Sequence, residues 1–288
     1  MNKKALCSGC LVVALLELGF PIRADEIAWK NIIGADKHQL SDSQIARVAK
    51  ILNKVSNTYG CKGTLAQCIA KGDLTARRHG GFVARMVKKN KDDQFIEKYI
   101  ALRHESSHPD EIANIDLSNA PSTGSPEAEV KVVEYACFEC PFCAHLAPEL
   151  KKLRKRFAKK ISFYYKYFPV ISHPRGVPAA KAAVAAYKQH KFWPMYDLLF
   201  AHRTDLKDGD LLEYAKKAGL NIDQWQRDKD SQATLKAIEK DKLEGMRFGV
   251  EGTPTFFING KMFQSVHDYE ELADRIDEEL DIVENRIK

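Results

Sequence analysis

Two kinds of hydrophobic pattern divide the chain. In the first part, up to about residue 115, apolar residues recur at the spacing of three and four positions that is typical of helices. From residue 129 onward, short runs of β-branched and aromatic residues alternate with helical patterns, as in a mixed α/β domain. We therefore expect a small all-α domain followed by an α/β domain.

The helical part has recognisable boundaries. Ser41-Asp-Ser-Gln44 has the spacing of a capping box and predicts the start of a helix. A glycine-rich break follows at 59–63, a further helix is predicted from Leu74 to Lys89, and Asp92 or Asp93 could cap the next one. Residues 25–115 are thus predicted to form the helical N-terminal domain, and the Pro-, Ser- and Gly-rich residues 116–128 a linker.

The second part reads strand, helix, strand, several helices, two strands and a last helix. The first strand, 129–135, runs into Cys140-Pro-Phe-Cys143 and then a helix, and the second strand covers 161–168. Gly252–Gly260 is predicted as a third strand, with 261–266 as its hairpin partner. Residues 129–288 are therefore predicted to form one α/β domain with a helical insertion at about 173–250.

The first 24 residues have the pattern of a secretory signal peptide. Lys3 and Lys4 precede an apolar run, Ala5 to Phe20, and the small residue Ala24 ends the segment. We expect cleavage after Ala24 and a periplasmic or otherwise exported protein. An uncleaved membrane anchor would need about 20 clean apolar residues, and this run is shorter. Cys7-Ser-Gly-Cys10 is a poor match to a lipoprotein signal.

Export changes the charge and the cysteine count. The full chain has a formal net charge of +6, and loss of three basic residues and one acidic residue with 1–24 leaves +4. Because both signs are interspersed, the composition favours solubility and argues against a nucleic-acid-binding surface.

The cysteines left are Cys61, Cys68, Cys137, Cys140 and Cys143. In an oxidising compartment these five cysteines would normally form two disulfides and leave one cysteine unpaired.

Cys140 and Cys143 have the spacing of a redox pair. At a strand-to-helix turn, the free N–H groups and the positive end of the helix dipole favour a thiolate at the first cysteine. Cys143 lies about one turn further, close enough to form or resolve a disulfide, and Pro141 suits the first helical turn. Phe142 adds no charge between them. We therefore predict a lowered pKa for Cys140 and a reduction potential between about −120 and about −270 mV.

Several motifs resemble the DsbA-like thiol-disulfide oxidoreductases of the thioredoxin fold. They are G-S-P-E-A-E-V at 124–130, E-C-P-F-C-A-H at 139–145, W-P-M-Y-D-L-L-F at 193–200 and G-T-P-T-F-F-I-N-G at 252–260. The resemblance covers about residues 124–288. It implies an α/β thioredoxin fold with a helical insertion, preceded here by the all-α domain.

The resemblance also implies roles for individual residues. Cys140 would be the nucleophile and Cys143 the buried resolving cysteine. The bond between Thr253 and Pro254 would be cis, and Thr253 would offer backbone hydrogen bonds to an extended peptide. Glu134 would be a buried acid that helps proton exchange with the resolving cysteine. Alternatively, Glu134 is a solvated strand residue, because the alternation of side chains along a strand does not by itself show which face of the sheet Glu134 occupies.

The N-terminal domain resembles, more distantly, the helical domain of CcmH-type cytochrome c maturation proteins, over residues 77–103. That family carries a close C-x-x-C, whereas six residues separate Cys61 from Cys68. We therefore expect Cys61 and Cys68 to form a structural disulfide, with a second redox pair as the alternative.

The sequence thus predicts an exported thiol-disulfide oxidoreductase, an oxidase or an isomerase, that needs no cofactor and no metal. Its partners would be cysteine-containing exported proteins and a membrane redox partner, and the helical domain could form a homo-oligomer. The alternative is a metal carrier that uses Cys137, Cys140, Cys143 and His145. Cys137 itself is interpreted as a buried spectator thiol, with a redox-modulating or intermolecular role as the alternative.

Overall fold

The computed structural model describes residues 21–57 and 60–286. Residues 1–20 of the predicted signal peptide lie outside this part. The chain divides into two compact units, Met1–Glu105 with Gln264–Val266 and Glu284–Lys288, and Ser106–Phe263 with His267–Val283. Within residues 21–57 and 60–286, no helix has the length and apolar character needed to cross a membrane.

The first unit is built from short amphipathic helices. They are α1 (Asp42–Lys54), α2 (Leu65–Ala70), α3 (Leu74–Lys88) and α4 (Asp93–Ser107), whose last two residues belong to the second unit. Ser41 and Gln44 form the predicted capping box of α1. Thr64 and Gln67 form a second one at α2, which the sequence analysis did not predict. Side-chain caps of this kind satisfy N–H groups that a helix start leaves open.

Ile22 belongs to the core of this first unit. Its side chain is 7% exposed and packs in the same apolar cluster as Val48 and Leu52. Its backbone N–H donates to Asn53 Oδ1 at 2.8 Å, and Asn53 Nδ2 donates to the Ile22 carbonyl at 2.7 Å. The structure therefore places in the core a residue that the predicted cleavage after Ala24 would remove.

A five-stranded mixed sheet forms the centre of the second unit. Its strands are β1 (Ser122–Gly124), β2 (Val130–Ala136), β3 (Ile161–Tyr167), β4 (Thr255–Ile258) and β5 (Lys261–Met262). Their order in the sheet is β1-β3-β2-β4-β5. The central pair, β2 and β3, is parallel, and the three other pairings are antiparallel. This is the sheet that the predicted thioredoxin fold requires.

The two faces of the sheet carry different layers. The helix after β2 is α5 (Pro141–Arg156), and the last helix is α11 (Tyr269–Val283). Both pack against one face, in a cluster that holds Val132, Leu150 and Ile276. Glu134 lies two positions after Val132 on the same strand, so its side chain points to this helix-covered face.

Five helices follow β3 and make up the insertion: α6 (Gly176–Lys188), α7 (Phe192–Ala201), α8 (Asp208–Lys217), α9 (Ile222–Lys229) and α10 (Gln232–Arg247). They lie between residues 176 and 247. The eight residues of α9 bury a single side chain, Trp225, and show no apolar period. The indole N–H of Trp225 donates to the Ala182 carbonyl at 3.0 Å and anchors α9 to α6.

A buried ion cluster attaches α10 to the opposite face of the sheet. Lys166 of β3 lies 2.6 Å from Asp241 and 3.0 Å from Glu244. The Tyr135 hydroxyl donates to Glu244 at 3.1 Å. Because Lys166 faces both carboxylates and the Tyr135 hydroxyl gives Glu244 a further donor, the cluster fixes the position of α10 on the sheet.

Candidate redox site

Cys140 occupies the position just before α5. It is the N-cap residue, Pro141 is the first residue of the helix, and no side chain caps this end. The Cys140 N–H donates to the Cys137 carbonyl at 3.0 Å, which closes a tight turn between β2 and the helix. Cys140 is only 2% exposed, whereas the neighbouring Phe142 is 72% exposed. The sulfur is therefore almost covered, whereas the residue two positions after it presents an apolar ring to solvent.

The loop before β4 contacts the sulfur of Cys140. Cys140 Sγ donates to the Thr253 carbonyl at 3.2 Å, and the peptide bond between Thr253 and Pro254 is cis. With Cys140 protonated, the buried Thr253 hydroxyl has no hydrogen-bond partner among the described residues. A thiolate at Cys140 could not donate to the carbonyl, but it could accept from this hydroxyl. The loop therefore offers a partner to either protonation state.

Hydrogen bonds stabilise the ionised form of Cys140. The pKa of its thiol falls to about 5, chiefly because the Cys143 thiol donates to it, and further because Thr253 and the backbone N–H groups of Cys143 and Phe142 do so. Burial acts against this shift without reversing it. The helix terminus was expected to lower this pKa, but the hydrogen bond from the neighbouring thiol contributes more than the helix amides do.

Cys143 has the opposite character. It is completely buried in the first turn of α5. Burial raises its pKa well above the ordinary value for a thiol, and its hydrogen bond to Cys140 and the nearby charge of Glu134 add to the effect. The two sulfurs therefore differ strongly in proton affinity although only two residues separate them in the chain.

Glu134 is completely buried beneath these cysteines. Burial raises the pKa of its carboxyl to about 7, and the positive charge of Arg154 and a hydrogen bond from Tyr196 oppose the rise. The Tyr196 hydroxyl lies 3.3 Å from Glu134 Oε2. A carboxyl with this pKa can gain or lose a proton near neutral pH.

Arg154 and Tyr196 were not singled out as site residues from the sequence. Tyr196 lies at helical spacing with Leu199 and Phe200, a pattern typical of a core residue, and it is indeed buried. Its hydroxyl, however, donates a hydrogen bond to Glu134. Arg154 lies eleven residues after Cys143 among other basic residues, and nothing in that pattern distinguishes the one that turns inward.

Two further contacts hold the residue in front of the nucleophile. The Arg175 backbone N–H donates to a carboxylate oxygen of Glu139 at 2.6 Å, and the Arg203 guanidinium donates to the Glu139 carbonyl at 3.3 Å. The Arg175 side chain also forms an ion pair with Asp208. The turn that carries Cys140 is thus tied to the insertion.

Cys137 and His145 do not extend the redox pair into a metal centre. Cys137 is buried, and burial raises the pKa of its thiol. A Cβ atom added at Gly176 would lie 2.8 Å from Cys137 Sγ, so that helix start packs directly on the sulfur. His145 is exposed, whereas Cys143 faces the interior. In residues 21–57 and 60–286, no three His, Cys, Asp or Glu side chains form a group able to hold a metal ion.

The other cysteine pair is closed. Cys61 and Cys68 are joined by a disulfide, with their Cα atoms 5.7 Å apart. That distance lies within the usual range for disulfides. Cys68 is buried in α2, and the bond closes the loop that leads into this helix.

Comparison with solved structures finds the same architecture as in the α/β unit. A thioredoxin-like oxidoreductase from Silicibacter pomeroyi DSS-3 is 26% identical, with a TM-score of 0.53, over 60% of this chain and 98% of that one. BdbD from Bacillus subtilis (oxidised) is 24% identical, with a TM-score of 0.54, over 59% of this chain and 97% of that one. The thiol-disulfide exchange protein alpha-DsbA2 from Wolbachia pipientis is 21% identical, with a TM-score of 0.52, over 63% and 94%.

Among curated sequences, the chain is similar to parts of bacterial Na(+)/H(+) antiporters named NhaA. It is 36% identical over 151 residues to one from Salinispora tropica and 34% identical over 145 residues to one from Herminiimonas arsenicoxydans. These alignments cover 52% and 50% of this chain and 23% of each antiporter, so the chain spans about a quarter of the length of these relatives. The thioredoxin family profile matches residues 117–278, more than half of the chain and all of the elements that build the site. The chain belongs to the thioredoxin family, and its α/β unit has the DsbA-like form of that fold.

Proposed function

We propose that this protein is an exported thiol-disulfide oxidoreductase that acts on the cysteines of other exported proteins through Cys140 and Cys143. The observation that carries the proposal is the opposite proton affinity of the two sulfurs at the start of α5. A redox pair needs one sulfur that attacks and leaves as a thiolate, and a second that stays protonated until it resolves the mixed disulfide.

The oxidising direction uses a disulfide between Cys140 and Cys143. A substrate thiolate attacks Cys140 Sγ, the bond between the two enzyme sulfurs breaks, and Cys143 leaves with the electron pair and takes up a proton. A second substrate thiolate then attacks the substrate sulfur of the mixed disulfide. Cys140 leaves as a thiolate, which its low pKa stabilises, so the substrate gains a disulfide and the enzyme pair is reduced.

The reducing or isomerising direction begins with the Cys140 thiolate. It attacks a substrate disulfide, one substrate sulfur leaves, and Cys143 resolves the mixed disulfide after losing its proton. Glu134 is the candidate acceptor for that proton, because it is buried close enough for its charge to raise the pKa of Cys143. Which direction dominates depends on the reduction potential, which we expect near the middle of the range between about −120 and about −270 mV.

The substrate-binding wall would be the loop at Thr253 and Pro254. Its carbonyl already accepts a hydrogen bond from Cys140, so a peptide cysteine in a mixed disulfide would lie beside the main chain of this half-buried loop. Phe142, two positions after Cys140, is exposed and offers an apolar contact. Both features suit an extended, unfolded segment of a client protein, whose backbone hydrogen bonds are open.

Export rests on the sequence of the first 24 residues and is tested by N-terminal sequencing of the protein recovered from outside the cytoplasm. A mature chain that begins at Asp25 would support cleavage after Ala24. A cut before Ile22 would support export while keeping the core contact of Ile22 with Asn53. A full-length chain found only inside the cell would contradict the export proposal.

The activity is tested by disulfide exchange with a reduced, unfolded client peptide and with insulin. We expect Cys140→Ala to lose exchange by a factor on the order of 10³, since the two thiols that remain beside it, Cys137 and Cys143, are buried and have a raised pKa. Cys137→Ala is the matched control, because it removes a buried thiol three positions away and should keep the rate. Undiminished exchange by Cys140→Ala would overturn the assignment.

A further inference from the structure

Glu134 has few polar neighbours despite its position in the middle of the sheet. Tyr165 lies opposite it on β3, but the Tyr165 hydroxyl donates to the Ala136 carbonyl at 3.1 Å. Its partner on β4 is the apolar Phe256. One carboxylate oxygen accepts from Tyr196, and the other, Oε1, is buried without a partner among the described residues. The sheet itself therefore does not stabilise this charge.

A buried cation on the helices that cover the sheet, Arg154, compensates for the missing stabilisation of the Glu134 charge. The Arg154 side chain is 11% exposed, and its guanidinium lies over the rings of Trp193, at 4.2 Å, and Tyr196, at 4.9 Å. Arg154 Nη2 lies 4.0 Å from Asp197 Oδ1 near the surface, and Nη1 is buried with no hydrogen-bond partner in the described structure. The aromatic rings favour a cation here, and they keep it from turning out to solvent.

We propose that Tyr196 and Arg154 are positioning residues that keep Glu134 ionised, so that it can take the proton of Cys143 during the resolving step. The inference rests on the proposed function and deepens it. Tyr196 acts by its hydroxyl donor and Arg154 by its charge, and both come from helices packed over the same face of the sheet. Neither residue touches the sulfurs that exchange.

The step conserves atoms and electrons. The Cys143 thiol gives its proton to the Glu134 carboxylate, and the thiolate formed attacks Cys140 Sγ in the mixed disulfide. The bond between Cys140 and the substrate sulfur breaks, and the substrate leaves as a thiolate with the electron pair. Cys140 and Cys143 are then a disulfide, and Glu134 returns its proton to water.

The direction of the effect follows from the groups that face Glu134. These are Cys143 and Arg154 from α5, Tyr196 from α7 and Tyr165 from β3. Arg154 and the Tyr196 hydroxyl lower the pKa of Glu134, whereas burial raises it to about 7. Loss of Arg154 or of the Tyr196 hydroxyl must therefore raise the pKa of Glu134 further. The resolving step will then need a higher pH, because only the ionised carboxylate can accept the Cys143 proton.

The test isolates the resolving step. A peptide disulfide is mixed with reduced protein, samples are quenched with acid, and the decay of the Cys140–peptide adduct is followed from pH 5 to 9. We expect the wild-type rate to rise with a midpoint near pH 7. Tyr196→Phe and Arg154→Gln should shift the midpoint upward by about one pH unit, which lowers the rate by up to about tenfold at pH 6.

Two control variants separate charge from packing. Arg154→Lys keeps the cation and should restore a midpoint near that of the wild type. Arg156→Gln removes a cation from the same helix, where its partner is Asp277 rather than Glu134, and should leave the profile unchanged. A uniform loss of rate in Tyr196→Phe or Arg154→Gln, with an unmoved midpoint, would overturn the inference and indicate packing alone.

A second readout does not depend on exchange. The Glu134 carboxyl is titrated by infrared or carbon-13 spectroscopy in the oxidised protein, with Glu134→Gln to identify its signal. A higher pKa in Tyr196→Phe and Arg154→Gln supports the inference, and an unchanged one refutes it. If the wild type forms no Cys140 adduct at all, the proposed function fails. If adducts form and resolve with the same midpoint in every variant, only the present inference fails.

Discussion

The two cysteine pairs of this protein show how the start of a helix contributes to the chemistry of a thiol. Cys61 and Cys68 are closed by a disulfide in the first unit, and Cys140 and Cys143 stand as thiols in the second. Both pairs lie at the beginning of a helix. They differ in what occupies the free N–H groups at that end.

At α2, side chains already accept hydrogen bonds from N–H groups at the helix start. The Thr64 side chain accepts from the Gln67 N–H, and the Gln67 side chain accepts from the Thr64 N–H. Cys68 comes after this capping box, in the body of the helix. At α5 the cysteine itself is the N-cap and no side chain caps the end, so the backbone N–H groups of Phe142 and Cys143 are left for the sulfur. The capped start of α2 therefore offers no free donors to Cys68, whereas the uncapped start of α5 adds backbone donors to the hydrogen bond that Cys140 receives from the Cys143 thiol.

The largest expected effect distinguishes the two sulfurs within the redox pair. In reduced protein, alkylation of Cys140 by iodoacetamide should follow a pH profile with its midpoint near 5, because hydrogen bonds stabilise the thiolate. Cys143 should react at least about a hundredfold more slowly at pH 6.5, since it is buried and protonated. Mass spectrometry of peptides from timed samples measures both rates. Equal labelling of the two sulfurs would remove the asymmetry on which the proposed function depends.

The Cys61–Cys68 bond should matter for stability and not for exchange. Replacing both by serine opens a loop of eight residues, which is expected to cost about 2.5 kcal/mol of unfolding free energy by loop-entropy reasoning. Urea denaturation measures the loss, and insulin reduction by the same variant should stay within about twofold of wild type. A large loss of exchange in a folded variant would make this a second redox pair.

The redox pair should couple stability to pH. The folded pKa of Cys140, about 5, lies below the ordinary value of 9, so the reduced protein gains stability as pH rises from about 5 and loses it as pH falls through 5. Between pH 5 and 7 the gain should be about 2 kcal/mol. Burial of Glu134 acts in the opposite sense but in both redox states. The difference between reduced and oxidised protein in urea melts therefore isolates Cys140, and reduced Cys140→Ser should show no such gain.

The smallest effect is expected at Cys137. Because its sulfur is buried against Gly176 and its pKa is raised, Cys137→Ser should change the exchange rate by less than about twofold. In the oxidised mature protein, thiol counting after denaturation should find one thiol, and none in this variant. A count of zero in the wild type would mean that Cys137 pairs with another cysteine, within or between chains.

The sequence was sufficient for the parts of the site that are local in the chain. Cys140, Pro141 and Cys143 lie in one turn, and their spacing alone indicates a thiol pair. Periodicity identified β2, β3 and β4, because apolar patterns mark such elements without knowledge of their neighbours. It missed β1, which lies within the Pro-, Ser- and Gly-rich residues 116–128 predicted as a linker and pairs with β3 without any apolar pattern of its own. Thr253 and Pro254 needed the family resemblance, since over a hundred residues separate them from the cysteines.

Other features could not be read from the chain. Alternation left the face of Glu134 open, and the structure buries it because α5 covers that side of β2. Tyr196 looked like any core aromatic, since sequence periodicity describes the ring and not the direction of its hydroxyl. Arg154 turns inward only because Trp193 and Tyr196, about forty residues away, provide an aromatic surface for its charge.

The contacts of Glu139 have a consequence for transplanting this activity. The residue directly before the nucleophile is held by Arg175 and Arg203, which lie at the ends of insertion helices and not in the sheet. A miniature made by excising 176–247 would keep every strand and the C-P-F-C turn, yet it would release that turn from one side. Conversely, a redesigned insertion would have to keep these two anchor points in register with Glu139, in addition to the contacts of Tyr196 with Glu134 and of Asp241 with Lys166.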